Sequence, residues 1–318
     1  MTNPRYVAIG TCVAACVMVA AAAGQQNAAL QFEGVALTTV PVAGNVHMVT
    51  RPGGGGNVGV FTGPEGVLLV DSLFAPLADR LLAAVREVSD GEIRFLINTH
   101  VHIDHIGGNE ALAGQDVLIF AHHNVRRRTL EPLRFPRFRT GGFAPQPAAA
   151  ARPVITYHDE VSFHFNGEEV RAFFAPAAHT DGDTFVYFPD SDVLHLGDVF
   201  RTTSYPIIDV YNGGSLAGTI DALERAIDIA GPGTQVIPGH GVAVVGRDAM
   251  VEFLAMTLDV RDRVRTMIAE GKTLDEVMAA RPTASYDATW GQEASWTAND
   301  FVPVVFHELG GASLYEAR

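Results

Sequence analysis

With 318 residues the chain is long enough for one large layered domain or two modest ones. Hydrophobic residues make up 47% and charged residues 18%, a composition that buries a core and excludes an intrinsically disordered chain. The formal net charge of −14 weighs against nucleic acid as a partner, because an acidic surface repels phosphate backbones.

Residues 1–24 read as a signal peptide. Arg5 supplies the positive start, residues 6–23 are almost wholly apolar, and Ala21-Ala22-Ala23 offers a small-residue cleavage site. A retained anchor is the alternative, but an alanine-rich run of about 18 residues is at the lower limit for a spanning helix. Val13-Ala14-Ala15-Cys16 loosely matches a lipidation site, yet the apolar stretch continues past Cys16. The expectation is a periplasmic or secreted protein with no stable membrane insertion after cleavage. Both cysteines, Cys12 and Cys16, lie in this segment, so a processed chain forms no disulfide and offers no thiolate to a metal.

Two strands are predicted over residues 46–49 and 58–62, joined across Gly53-Gly54-Gly55-Gly56, a run that permits positive φ at a hairpin tip. Residues 66–70 form a short apolar run ending at Asp71, read as a buried strand. A helix follows, with Pro76 near its start and Leu77, Leu81, Leu82, Val85 and Val88 on one face. Residues 94–98 read as the next strand, and a histidine-rich segment follows directly.

After His122 a helix carries Arg126, Arg127 and Arg128, with Arg134, Arg137 and Arg139 behind it: a solvated face, or a patch that steers an anionic substrate. The Gly-, Pro- and Ala-rich residues 141–153 read as an exposed loop. Short strands are expected at 154–157, 161–165, 170–174, 184–188, 193–196 and 235–237, and helices at 219–229, 248–270, 274–280 and 299–309. No internal repeat interrupts this mixture, which predicts an α+β layered sandwich.

The chemistry concentrates in His100-Val101-His102-Ile103-Asp104-His105, placed at the carboxyl end of a strand. Two imidazoles two residues apart converge on one ion, while the adjacent Asp and His turn toward a second. Such ligands suit zinc, and also iron or manganese. His179 (before Thr180-Asp181-Gly182-Asp183), Asp198 (after Gly197) and His240 (in Pro238-Gly239-His240-Gly241) stand at further strand ends beside small residues. Each alone reads as an ordinary polar residue; seven together, in this order, read as a metal centre.

Residues 99–108, with His179, Gly197-Asp198 and Pro238-Gly239-His240-Gly241, resemble the metallo-β-lactamase-fold superfamily over roughly residues 40 to 245. The resemblance implies a four-layer αββα sandwich within residues 25–270, with residues 271–318 a helical extension packed on the same domain. It implies two zinc ions: one on His100, His102 and His179, the other on Asp104, His105 and His240, with Asp198 bridging them or binding the second. A hydrolase follows, since two close cations make hydroxide available near neutral pH. Asp104 is the expected catalytic residue orienting the nucleophile; Asp71, Thr99 and Asp183 are expected to fix imidazole orientation, or else to cap strand ends and turns.

Many β-lactamases of that superfamily have Cys or Ser where this chain has Asp198, so the resemblance points to a broader lactamase-like hydrolase. Its substrate is expected to be small and anionic, with a cyclic amide, ester (lactone) or thioester bond; weak β-lactamase activity is compatible with this. Arg201, three residues after Asp198, matches the offset at which lactamases bind a substrate carboxylate, and Asn212 resembles their substrate-binding Asn. The glycine hairpin corresponds to their flap, or is a plain turn. An iron-dependent redox member of the same fold and a non-catalytic metal-binding module are the alternatives.

Overall fold

A computed structural model describes residues 32–134 and 143–310. The signal-peptide segment with Cys12 and Cys16, the arginines Arg137 and Arg139, and residues 311–318 lie outside the described residues. From Leu37 onward the chain forms one compact unit.

Four strands open that unit: β1 (Thr38–Ala43), β2 (Val46–Thr50), β3 (Val58–Gly63) and β4 (Gly66–Val70). Helix α1 (Ala78–Arg86) leads to β5 (Ile93–Asn98), then short helices α2 (Ile103–Ile106) and α3 (Asn109–Ala113), β6 (Leu118–His122) and α4 (His123–Arg128). A two-stranded ribbon, β7 (Leu133–Arg134) with β8 (Phe143–Ala144), precedes β9 (Ile155–Tyr157). The second half has β10 (Glu160–Phe165), β11 (Glu168–Phe174), β12 (Thr184–Phe188), β13 (Val193–His195), α5 (Leu216–Ile229), β14 (Gln235–Ile237) and β15 (Val245–Gly246). Helices α6 (Arg247–Ala269), α7 (Leu274–Ala280), α8 (Asp287–Trp290) and α9 (Ala298–Glu308) complete it.

The strands form a seven-stranded sheet, β1-β2-β3-β4-β5-β6-β9, and a six-stranded sheet, β10 through β15 in order. Alternation along each strand sends one set of side chains inward. Val46, Met48, Phe61, Leu68, Val70, Ile97 and Phe120 from the first sheet pack against Phe163, Phe165, Val170, Ala172, Val186 and Phe188 from the second. The outer face of the second sheet, with Phe173, Phe185, Leu194 and Val236, buries against Leu223 and Ala226 of α5, Phe253 and Val260 of α6, and Phe301 and Val305 of α9. Helix α1 lies on the first sheet and contacts β1 and β2. The αββα sandwich expected from the sequence is therefore present. Among the described residues no helix is long and apolar enough to cross a membrane.

Five strands have no counterpart in the sequence reading: the short β7, β8 and β15, and β1 and β6 of the first sheet. Strand β1 is partly exposed throughout and contains Pro41, so it shows no clean apolar alternation. Strand β6 is buried on both faces and runs straight into the His-rich start of α4, which hides its end.

Register places the site. In the first sheet the parallel pairs Val70↔Ile97, Asn98↔Ala121 and His122↔Tyr157 align the carboxyl ends of β4, β5, β6 and β9. In the second, His195↔Ile237 aligns β13 with β14. Asp71, residues 99–105, Asp198 and His240 thus emerge along one edge of the two sheets.

Candidate metal centre

Seven side chains meet at that edge in two groups. His100, His102, His179 and Asp198 present ligand atoms within 4.8 Å of one another, and so do Asp104, His105 and His240. Asp198 lies between the groups: its Oδ1 is 3.2 Å from His105 Nε2, and its Oδ2 is 3.3 Å from His240 Nε2 and 3.8 Å from His179 Nε2. Asp104 Oδ2 is 3.1 Å from His240 Nε2 and 3.8 Å from His105 Nε2.

Four imidazoles have an outward nitrogen held by an acceptor, and the network fixes their tautomers. His102 Nε2 donates to Asp209 Oδ2 at 2.7 Å, and His179 Nδ1 donates to the Ile207 carbonyl at 2.5 Å. His105 Nδ1 donates to Asp71 Oδ2 at 2.7 Å. Thr99 Oγ1 donates to Asp71 Oδ2 and receives His100 Nδ1 at 3.0 Å. In its neutral form each ring then turns a lone pair inward, on Nε2 of His100, His105 and His179 and on Nδ1 of His102, with His179 Nε2 and His102 Nδ1 3.0 Å apart. Of these atoms, His100 Nε2 and His105 Nε2 are buried without a hydrogen-bond partner, as are Asp198 Oδ1 and His240 Nε2. Buried polar atoms are costly to leave unpaired, so converging lone pairs of this kind fit a cation. The cluster is able to bind metal ions.

Charge sharpens the fit. Burial pushes His100 well below the ordinary imidazole range, and His105 and His179 beside it act in the same direction. Burial, aided by His102, lowers His179 to about 3. Burial alone would also lower His105, but the carboxylates Asp198, Asp104 and Asp71 outweigh it and raise it well above that range. A metal ion at His105 Nε2 would displace the proton held there, so metal binding is expected to strengthen as pH rises.

Asp71 organises the first-sheet side of the site. It accepts from the Thr99 backbone N–H at 2.7 Å, from Thr99 Oγ1 at 2.6 Å and from His105. Its own backbone is left-handed (φ 68°), as is that of Leu73 (φ 58°), a conformation uncommon outside glycine that turns the chain sharply after β4. Asp183 takes the second of its two expected roles, that of a turn cap. Its carboxylate takes the Thr180 backbone N–H at 2.8 Å and Thr180 Oγ1 at 2.6 Å, so it shapes the His179 turn without touching an imidazole.

Arg201 and Asn212, the two residues expected to contact substrate, are both buried against protein partners. Arg201 is only 1% exposed, and its guanidinium is committed inside the protein: Nη1 to Asp198 Oδ2 at 2.5 Å, Nη2 to Glu293 Oε2 at 2.6 Å and Nε to Ser204 Oγ at 2.9 Å. The 3-10 turn Gly197–Val199 carries Asp198, and Arg201 pairs with it from three residues on. Asn212 is also buried; its amide donates to Asp209 Oδ2 at 2.5 Å and accepts from Arg128 Nη1 at 3.0 Å. The arginines of α4 are likewise paired: Arg127 and Arg128 both bind Asp181, and Arg126 binds the Pro153 carbonyl.

Asp209 escaped the sequence reading. It stands 107 residues from His102, and no local motif marks it. The one available signal is its place ahead of the turn Val210–Asn212, which its Oδ1 caps through the Tyr211 and Asn212 N–H groups.

The glycine hairpin sits against the site. Asn57 at its base donates to the carbonyls of Pro238 (2.9 Å) and Gly241 (2.8 Å), tying it to the His240 loop. A Cβ on Gly56 would lie 2.5 Å from the Asp104 carbonyl and 2.7 Å from His105 Cε1. Gly56→Ala is therefore expected to cost about 1–3 kcal/mol of stability from overpacking and to displace His105. Thermal melts paired with zinc titration check this; wild-type values for both would contradict the contact.

A His/Asp cluster at the edge of two stacked sheets with helices outside defines a metal-binding αββα protein. Residues 51–240 match the model of the metallo-β-lactamase superfamily, which is more than half of the chain, and the chain belongs to that superfamily. A linear primary-alkylsulfatase from Pseudomonas sp. (strain ATCC 19151) is 24% identical over 257 residues, covering 68% of this chain and 48% of that protein. Two solved structures share the fold: a stereoselective inverting sec-alkylsulfatase from Pseudomonas sp. (TM-score 0.61, 19% identity, covering 88% of this chain and 51% of that one) and a metallo-β-lactamase from Pontibacter korlensis (TM-score 0.57, 18% identity, 70% and 99%). The chain spans about half the length of the alkylsulfatases it matches.

Proposed function

We propose that this protein is a two-metal hydrolase acting on a small, anionic substrate. The carrying observation is the convergence of inward imidazole lone pairs with Asp104 and Asp198 in a buried edge site. His100 Nε2, His102 Nδ1 and His179 Nε2 would hold one ion; Asp104, His105 Nε2 and His240 Nε2 would hold the other, with Asp198 shared. An all-nitrogen-and-oxygen set suits zinc, and also iron or manganese. When bound, such cations supply Lewis acidity and lower the pKa of a nearby water. Asp104, whose side chain is 17% exposed against 3% for Asp198, is the more accessible of the two carboxylates and would orient the attacking water. Asp209, Asp71 and Thr99 keep three imidazoles in the tautomer that faces inward.

The expected scissile bond is a cyclic amide, an ester (including lactone) or a thioester. A sulfate ester is the second reading, supported by the two alkylsulfatases among the similar proteins. The segment 1–24 supports export to the periplasm or beyond, and the charge of −14 supports a small-molecule partner over nucleic acid. The test is metal quantification on purified protein with a panel of nitrocefin, a lactone, a thioester and an alkyl sulfate. About two ions per chain and turnover of at least one substrate, abolished by a chelator and restored by zinc, are expected. A protein holding two ions yet inert to every hydrolysable class would sink the proposal.

A further inference from the structure

The region after residue 240 lies outside the family match, yet it reaches the metal centre. Glu293, between α8 and α9, places Oε2 at 2.6 Å from Arg201 Nη2, and Arg201 Nη1 binds Asp198 Oδ2. Asp198 is the carboxylate that lies between the two ligand groups, so this chain of three charged groups runs from the C-terminal region into the middle of the site.

Glu293 is held firmly in place. Thr203 Oγ1 donates to its Oε2 at 3.3 Å, and Ser295 Oγ donates to its Oε1 at 2.8 Å. The surrounding segment is pinned at three points: Ser204 pairs with Gly291, Tyr205 Oη donates to Asp287 Oδ1 at 2.8 Å, and Trp296 Nε1 donates to the Pro206 carbonyl at 3.1 Å. All three points fall on the segment that follows Asp198. The C-terminal region is thus fitted to this loop, with a carboxylate at the point where the guanidinium needs one.

The electrostatics give this contact a purpose. A buried guanidinium beside Asp198 draws on the oxygen that also faces His179 and His240, and its positive charge opposes cations a few ångströms away. A second carboxylate on the far side of the guanidinium offsets that charge and leaves Asp198 electron-rich toward the metals. We propose that Glu293 is a positioning residue of the metal centre, acting through Arg201 to keep Asp198 a strong ligand shared by two ions. This rests on the two-ion reading above.

The test compares Glu293→Gln and Glu293→Asp with the wild type by titration with cobalt(II), followed by visible absorption, and with zinc, followed by competition with a chelating dye. Glu293→Gln keeps the size and the hydrogen-bonding reach but removes the charge. It is expected to weaken the binding of at least one ion roughly 10–100-fold and to alter the cobalt spectrum, in the range found for outer-shell partners of metal ligands. Glu293→Asp, which keeps the charge, should stay closer to wild type. In an Arg201→Met background the Glu293→Gln effect should largely vanish, because no buried cation remains to be offset. Equal losses in the Gln and Asp variants, or an undiminished loss in the Arg201→Met background, overturn the charge role, as does wild-type affinity in Glu293→Gln. Wild-type protein that binds fewer than two ions overturns the two-ion reading itself, and this inference with it.

Discussion

His102→Ala is expected to reduce bound metal from about two ions per chain to about one and to lower hydrolysis by at least roughly 100-fold. In the proposed two-ion arrangement His102 Nδ1 is one of three imidazole donors to one ion and Asp198 is shared with the neighbouring group, so the truncated site would keep too few donors. Several kcal/mol of electrophilic stabilisation go with the lost ion, at a factor of ten in rate per about 1.4 kcal/mol. The fold should survive. The His102 side chain is 11% exposed, and its partner Asp209 keeps Asn212 and the two backbone N–H groups that it caps. Metal analysis, turnover and circular dichroism on the same preparation check the three parts together. Full metal content in this variant would remove His102 from the ligand set.

The legibility of this site in the sequence followed distance along the chain. His100, His102, Asp104 and His105 fall within six residues after a strand, and that spacing alone brings their side chains together. His179, Asp198 and His240 were found one by one, through small residues at strand ends and a resemblance to one fold. Asp209 and Glu293 were not found, because what matters about them is where a distant turn delivers a carboxylate. Arg201 stands out by its offset from Asp198, but its engagement with Asp198, Ser204 and Glu293 does not. The 3-10 turn that carries Asp198 has no sequence signal. The same holds for Asn212: an amide beside a glycine turn reads as available, whereas Arg128 and Asp209 hold both of its ends. The architecture was easier, since buried strands such as Thr184–Phe188 and Gln235–Ile237 announce themselves by apolar runs between breakers. Among the strands missed, β1 sits at an edge, where little burial shapes its composition, and β6 runs into the His-rich start of α4.

Asp71 carries the other large expected effect, and the two obvious substitutions separate its roles. Its Oδ1 receives the Thr99 backbone N–H, while Oδ2 receives both Thr99 Oγ1 and His105 Nδ1. Asp71→Asn preserves volume but gives one of these positions an NH2. If the NH2 replaces Oδ2 it faces two donors; if it replaces Oδ1 it faces a backbone N–H. Either way a buried donor meets a donor, and at least one group in a fully buried site is left unsatisfied, at a cost of about 1–3 kcal/mol. Metal affinity should fall about 10–100-fold, because the His105 tautomer that turns Nε2 inward is no longer enforced. Asp71→Ala should cost more in stability, since it orphans all three donors and opens a cavity at the end of β4. If hydrogen bonding to Thr99 and His105 is what matters, both variants lose metal, and restoring zinc to millimolar concentration recovers turnover in Asp71→Asn more readily than in Asp71→Ala. Turnover that is independent of added zinc in both variants would mean that the inward orientation of His105 is maintained without Asp71, by the ion itself.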